Sequence, residues 1–164
     1  MKNVFTVLLF CYFPVIVYAA DTQNWQLVLA EDPLEKHTSC LMVSATKQND
    51  DGQATTPVSL IYNGKVFIAK TKSNIDLSYP NLGLQVDNKK PHNIDHLHKN
   101  NSVVFETQSP QILGEFIKGL TGKLTLGFWP TWPKTRSFTI DFDLRGFTKI
   151  YRNFQHCQKT GEIL

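Results

Sequence analysis

Cysteine is scarce, with 3 residues in a chain of 164, so this is not a miniprotein held together by a dense disulfide framework. Surplus charge is scarce too. A formal balance of +3 is too slight to specify nucleic acid or an anionic membrane as the partner. Glycine and proline, at 9 and 8 residues, are too few for a collagen-like chain. A hydrophobic share of 41% is too high for a disordered one. The length suits one ordinary domain rather than two. No internal repeat occurs, and beyond the first twenty or so residues no apolar run is long enough to cross a bilayer. Familiar catalytic signatures are also missing: there is no Gly-x-Ser-x-Gly elbow, no His-Glu-x-x-His, no P-loop and no dinucleotide-binding glycine pattern. Their absence lowers the expectation of an enzyme, and no cofactor is implied.

What is present begins with an address. Lys2 opens the chain on a positive charge, an apolar core runs from Val4 to Val17, and Tyr18-Ala19-Ala20-Asp21 follows. A basic start, a short apolar run and small residues before a polar segment describe a secretory signal peptide. Val17 and Ala19 occupy the two small-residue positions, so the expected leader is residues 1–19, leaving 20–164 as a single β-rich domain. Pro14 interrupts the apolar run, which falls short of the roughly 20 residues a membrane span needs. The chain is therefore expected to be exported, to the periplasm or the exterior, with no transmembrane segment after leader removal. Cys11 leaves with the leader. Cys40 and Cys157 remain, in a compartment where disulfides persist. They permit one bridge between the beginning and the end of the domain.

The remainder reads as short strands separated by turn chemistry. Alternation places Trp25, Leu27 and Leu29 on one face of a first strand, and residues 39–46 form a second carrying Cys40. Asn63-Gly64 separates two apolar runs, Val58–Tyr62 and Lys65–Thr71. That pair predicts a type I′ hairpin, in which both central residues take positive φ. Further strands are expected over 82–86, 102–107, 123–128 and 137–144. In the last, Phe138, Ile140, Phe142 and Leu144 point one way while Asp141 and Asp143 point the other, which describes a half-buried sheet. Ser109 is expected to cap a helix whose first position is Pro110 and whose stop is Gly122. A second helix over 147–158 carries Phe147, Ile150, Tyr151, Phe154 and Cys157 on one stripe. The sum is an all-β-dominated fold of about eight short strands, a β-sandwich or a partly open antiparallel barrel, with two short helices, one of them C-terminal. Residues 72–101 are expected to be irregular.

Three sets of side chains could carry chemistry. His92, Asp95, His96 and His98 are a metal-ligand vocabulary, although no single regular conformation presents all three histidines together. They would serve a metal-dependent hydrolase, with a plain polar loop as the alternative. Asp141 and Asp143 lie on one strand face like a hydrolase pair, but their alternation with apolar residues makes them the wetted face of an amphipathic strand. Trp129 and Trp132, in the proline-stiffened turn Phe128–Pro133, offer flat indoles. Such rings suit sugar or partner side chains, and would equally serve to cap the open end of the core. His37 and His156 are isolated and read as surface or capping residues.

With these residues in view, the chain resembles the invasion-associated locus B family of exported bacterial proteins. The likeness lies in Ile117-Lys118-Gly119 closing a short helix, and in Phe142-Asp143-Leu144-Arg145-Gly146-Phe147 entering the last one. Trp25 near the start, the Ser39–Ser44 strand and the apolar hairpin extend it upstream. The resemblance implies a small, secreted, β-rich, non-enzymatic protein. It would act through contacts with a protein, envelope or host-surface partner, and the family supplies no catalytic residues to transfer. Many members carry a close pair of cysteines mid-chain; here the histidine-rich segment occupies that region.

Overall fold

The computed structural model describes residues 24–129 and 136–163; the expected leader and Trp132 lie outside them. The described chain forms twelve strands and two helices. In order they are β1 (Trp25–Glu31), β2 (Thr38–Ser44), β3 (Lys47–Asp50), β4 (Thr55–Tyr62), β5 (Phe67–Lys70), β6 (Asn74–Ile75) and β7 (Gly83–Val86). Then come β8 (His96–His98), β9 (Ser102–Phe105), α1 (Ser109–Lys118), β10 (Thr121–Leu126), β11 (Phe128–Trp129), β12 (Phe138–Asp143) and α2 (Phe147–Thr160). The seven-stranded sheet runs β1-β2-β4-β5-β9-β8, with β3 also paired to β4; β12-β10-β7 form a second sheet and β11-β6 a third. Every pairing is antiparallel. The sheets stay open, and no closed barrel forms among the described residues.

One apolar core gathers the inner face of the large sheet, the three-stranded sheet and both helices. Its centre is aromatic. The Trp25 ring meets Phe147 edge-on at 4.9 Å and Phe116 at 5.9 Å, the offset geometry that ring quadrupoles favour. The buried indole also needs a polar partner, and its Nε1–H donates to the Asp143 carbonyl at 2.9 Å. Strand β1 is thereby fastened to the end of β12. The expected inward set on β12 is observed, with Phe138, Ile140, Phe142 and Leu144 all buried and Asp141 exposed. A smaller cluster on the opposite face of the large sheet is built on Leu41, Ile61, Ile68 and Val104, with Leu34 packed against it.

The sulfur clasp is present. Cys40 on β2 and Cys157 on α2 are bridged across 117 residues, with their α-carbons 6.1 Å apart, inside the reach of a disulfide. Cys157 shares the buried face of α2 with Phe147 and Phe154, as the spacing predicts. A bridge of this kind points to an oxidising, extracytoplasmic compartment. No described helix is long and apolar enough to cross a membrane.

Three local expectations are corrected. The hairpin between β4 and β5 exists, but its loop takes the four residues 63–66 and only Gly64 has positive φ, at 97°. Asn63 instead accepts the Lys65 and Val66 N–H groups through Oδ1 and donates through Nδ2 to buried Asp32. Its side chain satisfies the turn, so its backbone need not become left-handed. The cap of α1 is Gln108, without a side-chain cap bond, while Ser109 lies inside the helix with its Oγ buried and unpartnered. The helix stops at Gly119, and Gly122 belongs to β10. The extra strands β3, β6, β8 and β11 are all four residues or shorter.

Candidate functional site

The histidine-rich segment does not converge. His92 is buried between the β7 sheet and α1, with Nδ1 2.9 Å from Gln108 Oε1 and Nε2 2.9 Å from Glu115 Oε2. Glu115 also faces Lys89 Nζ at 3.9 Å. Both ring nitrogens are thus engaged within the protein. Asp95 is a capping residue. Its carboxylate accepts the Glu106 and Thr107 N–H groups and the Thr107 hydroxyl at 2.6 to 3.1 Å, in the turn that leads into α1. Burial pushes its pKa up, but the Thr107 hydroxyl and the two N–H groups outweigh that and hold it below the ordinary value. His96 and His98 lie on the edge strand β8, opposite Val104 and Ser102. His96 is exposed, whereas His98 Nε2 is buried without a partner. Among the described residues no group of three or more His, Cys, Asp or Glu side chains could hold a metal ion. The expected ligand set is divided between a buried strut, a cap and a sheet edge.

Of the two carboxylates of β12, Asp141 is exposed and Asp143 is engaged. Asp143 accepts from Arg145 Nε at 2.8 Å and from the Arg145 backbone N–H at 2.9 Å. These bonds hold its pKa down to about 2. The adjoining recess of about 430 Å³, lined by Lys47, Leu120, Asp141 and Arg145 among others, therefore contains a carboxylate and a guanidinium already committed to each other.

The aromatic turn is different. Strand β11 alternates, so Phe128 enters the core at 1% exposure while Trp129 turns outward at 65%. Glycine makes this placement possible. A Cβ on Gly127 would lie 2.3 Å from the Tyr79 ring and 2.8 Å from the Asp76 carbonyl oxygen, closer than any side chain could be accommodated. That contact lets the Asp76 N–H reach the Gly127 carbonyl at 3.0 Å and draws residues 74–79 alongside β11. The turn between β8 and β9 closes the other side, where the Ile75 N–H donates to the Asn100 carbonyl at 2.6 Å. Lys99 and Asn100 are both left-handed there, with φ of 49° and 58°.

The result is a groove of about 480 Å³. Ile75 and Leu97 form its floor, Leu77 and Trp129 its walls, and Asn74, Asp76 and Asn100 its polar rim. Leu77, like Trp129, is a large apolar side chain left exposed, at 42%. Of the two indoles expected here, Trp129 is on the groove and Trp132 lies outside the described residues. Leu77, Asn74 and Asn100 could not be found from the sequence. They sit in polar, aperiodic chain, and only long-range pairing of two-residue strands brings them to Trp129.

Fold and site together define a class: a small antiparallel β domain, clasped by a disulfide and presenting an apolar groove walled by an indole. No protein-family model and no curated protein matches the chain. A solved structure does. The chain shares the fold of invasion associated protein b from Bartonella henselae, with a TM-score of 0.52 and 20% identity, over 83% of this chain and 94% of that one.

Proposed function

We propose that this chain is an exported, non-enzymatic interaction protein whose Trp129 groove meets a partner at the bacterial envelope or a host surface. The observation that carries the reading is the pairing of two exposed apolar side chains, Trp129 and Leu77, on a groove floored by buried Ile75 and half-buried Leu97. Large apolar side chains left in water together mark contact surfaces, and aromatic anchors dominate their energetics. The disulfide accords with export, as does the leader read at residues 1–19. A protein of the same fold is described as invasion associated, which accords with the contact role proposed here. His92, Asp95 and Asp143 are occupied as a strut, a cap and an ion pair.

Saturable binding of the purified protein to envelope fractions and to host-cell surfaces tests the reading. Trp129→Ala and Leu77→Asp should each weaken that binding by about tenfold or more, equivalent to about 1.4 kcal/mol, without shifting thermal unfolding. Surface binding indifferent to both substitutions would remove the groove from the proposal. A catalytic turnover abolished by one polar substitution would overturn the non-enzymatic reading.

A further inference from the structure

The chemistry of the groove is narrower than that of a general contact patch, and a ligand class can be assigned to it once it is taken, as proposed above, for the binding surface. Among the described residues its lining contains no lysine or arginine, and Asp76 is the one charged member, so an anionic ligand would find no counter-charge among them. The rim is instead rich in planar polar groups. Asn74 and Asn100 are exposed, and their side-chain amides take no hydrogen bond among the described residues. Asp76 accepts the Ser78 N–H through Oδ1 at 2.9 Å, and its Oδ2 takes no hydrogen bond among the described residues. Amides and carboxylates of this kind offer paired donors and acceptors to neighbouring hydroxyls, while a flat indole accepts the C–H face of a pyranose ring.

A peptide would use other features. Strand addition needs a long unpaired edge, and β6 and β11 have two residues each. The floor adds a further restriction. Over Ile75 and Leu97 a sugar hydroxyl would lose its water without gaining a partner, which is costly, whereas a methyl group would gain apolar contact. The volume of about 480 Å³ falls within the roughly 300–1,000 Å³ usual for small-ligand sites.

We infer that the groove binds an oligosaccharide containing N-acetylhexosamine. Its ring stacks on Trp129, its acetamido methyl rests on Ile75 and Leu97, and its hydroxyls are shared among Asn74, Asp76 and Asn100. Titration calorimetry with triacetylchitotriose, cellotriose and a short apolar peptide tests this, because the two sugars share a linkage and differ in the acetamido group. Triacetylchitotriose should bind saturably and about tenfold or more tighter than cellotriose. Trp129→Ala and Leu77→Asp should each weaken it by about tenfold or more, with Trp129→Tyr retaining most of the affinity. If Trp129→Ala fails to fold, judged by near-ultraviolet dichroism, the exposed Leu77→Asp carries the test. Absent saturable binding, equal affinity for the two trisaccharides, indifference to the folded groove variants, or preference for the peptide would each overturn the inference. Should the sugar fail while surface binding of the whole protein still depends on Trp129, the glycan assignment falls and the groove stands. Should neither respond to the groove variants, both fall.

Discussion

His92 shows how one residue can change meaning between sequence and structure. In the sequence it belongs to a run of possible ligands; in the fold it is 2% exposed and holds α1 to the loop after β7 through Gln108 and Glu115. Replacing it should leave a largely buried carboxylate whose partners among the described residues are Lys89 at 3.9 Å and the Gln111 side-chain amide at 3.4 Å. His92→Leu is accordingly expected to cost about 1–3 kcal/mol, read from the urea midpoint, with no effect on surface binding. Asp143 supplies a pH dependence of defined sign. Its pKa is lowered from 3.8 to about 2, chiefly by hydrogen bonds from Arg145, so the folded state binds fewer protons than the unfolded chain across that interval. The stability it contributes is fully present above about pH 3.8 and disappears as pH falls towards about 2. Asp143→Asn should flatten that part of the urea-midpoint profile, and by less than about 1 kcal/mol, because the pair is solvent-screened.

At the scale of elements, the strands that were legible are those with enough residues to display a period of two, such as β1, β2, β10 and β12. Strands of two residues, β6 and β11, carry no readable period and exist because distant backbone pairs with them. Turn chemistry was legible as a location and not as a geometry. The Asn63-Gly64 signal does mark the hairpin, yet the paired positive-φ residues expected there occur at Lys99 and Asn100 instead. Asn63 is recruited by Asp32, more than thirty residues away by position, and no local rule anticipates that. Gly64 remains irreplaceable. At φ 97°, with Phe154 Cζ 3.1 Å from any added Cβ, Gly64→Ala should cost about 1–2 kcal/mol, measured by thermal unfolding.

For the molecule as a whole, the consequential link is the bridge between β2 and α2. It closes a loop of 117 residues and holds the last helix over the aromatic centre, where Tyr62 meets Phe154 at 5.6 Å and Phe147 stacks on Tyr151 at 6.3 Å. Loop-closure entropy assigns such a bridge about 4–5 kcal/mol. Replacing both cysteines, Cys40→Ala with Cys157→Ala, should lower unfolding free energy by about that amount, and reductant should act equivalently on the unaltered chain. Trp129→Ala should move stability by no more than about 0.5 kcal/mol. The contrast separates what maintains the fold from what the fold presents.

The sequence alone determined the features written in local period or in scarcity: the inward faces of the longer strands, the buried stripe of α2, and the pairing of Cys40 with Cys157. Neighbouring residues in a strand or helix carry those features, so a short window contains them. Tertiary structure decided the rest. His92 became a strut because Gln108 and Glu115 lie 16 and 23 positions away, and the groove exists because β11, β6 and the β8–β9 turn were brought together by backbone pairing. Such pairing depends on which chain ends up adjacent, a property of the packed whole that no short window records.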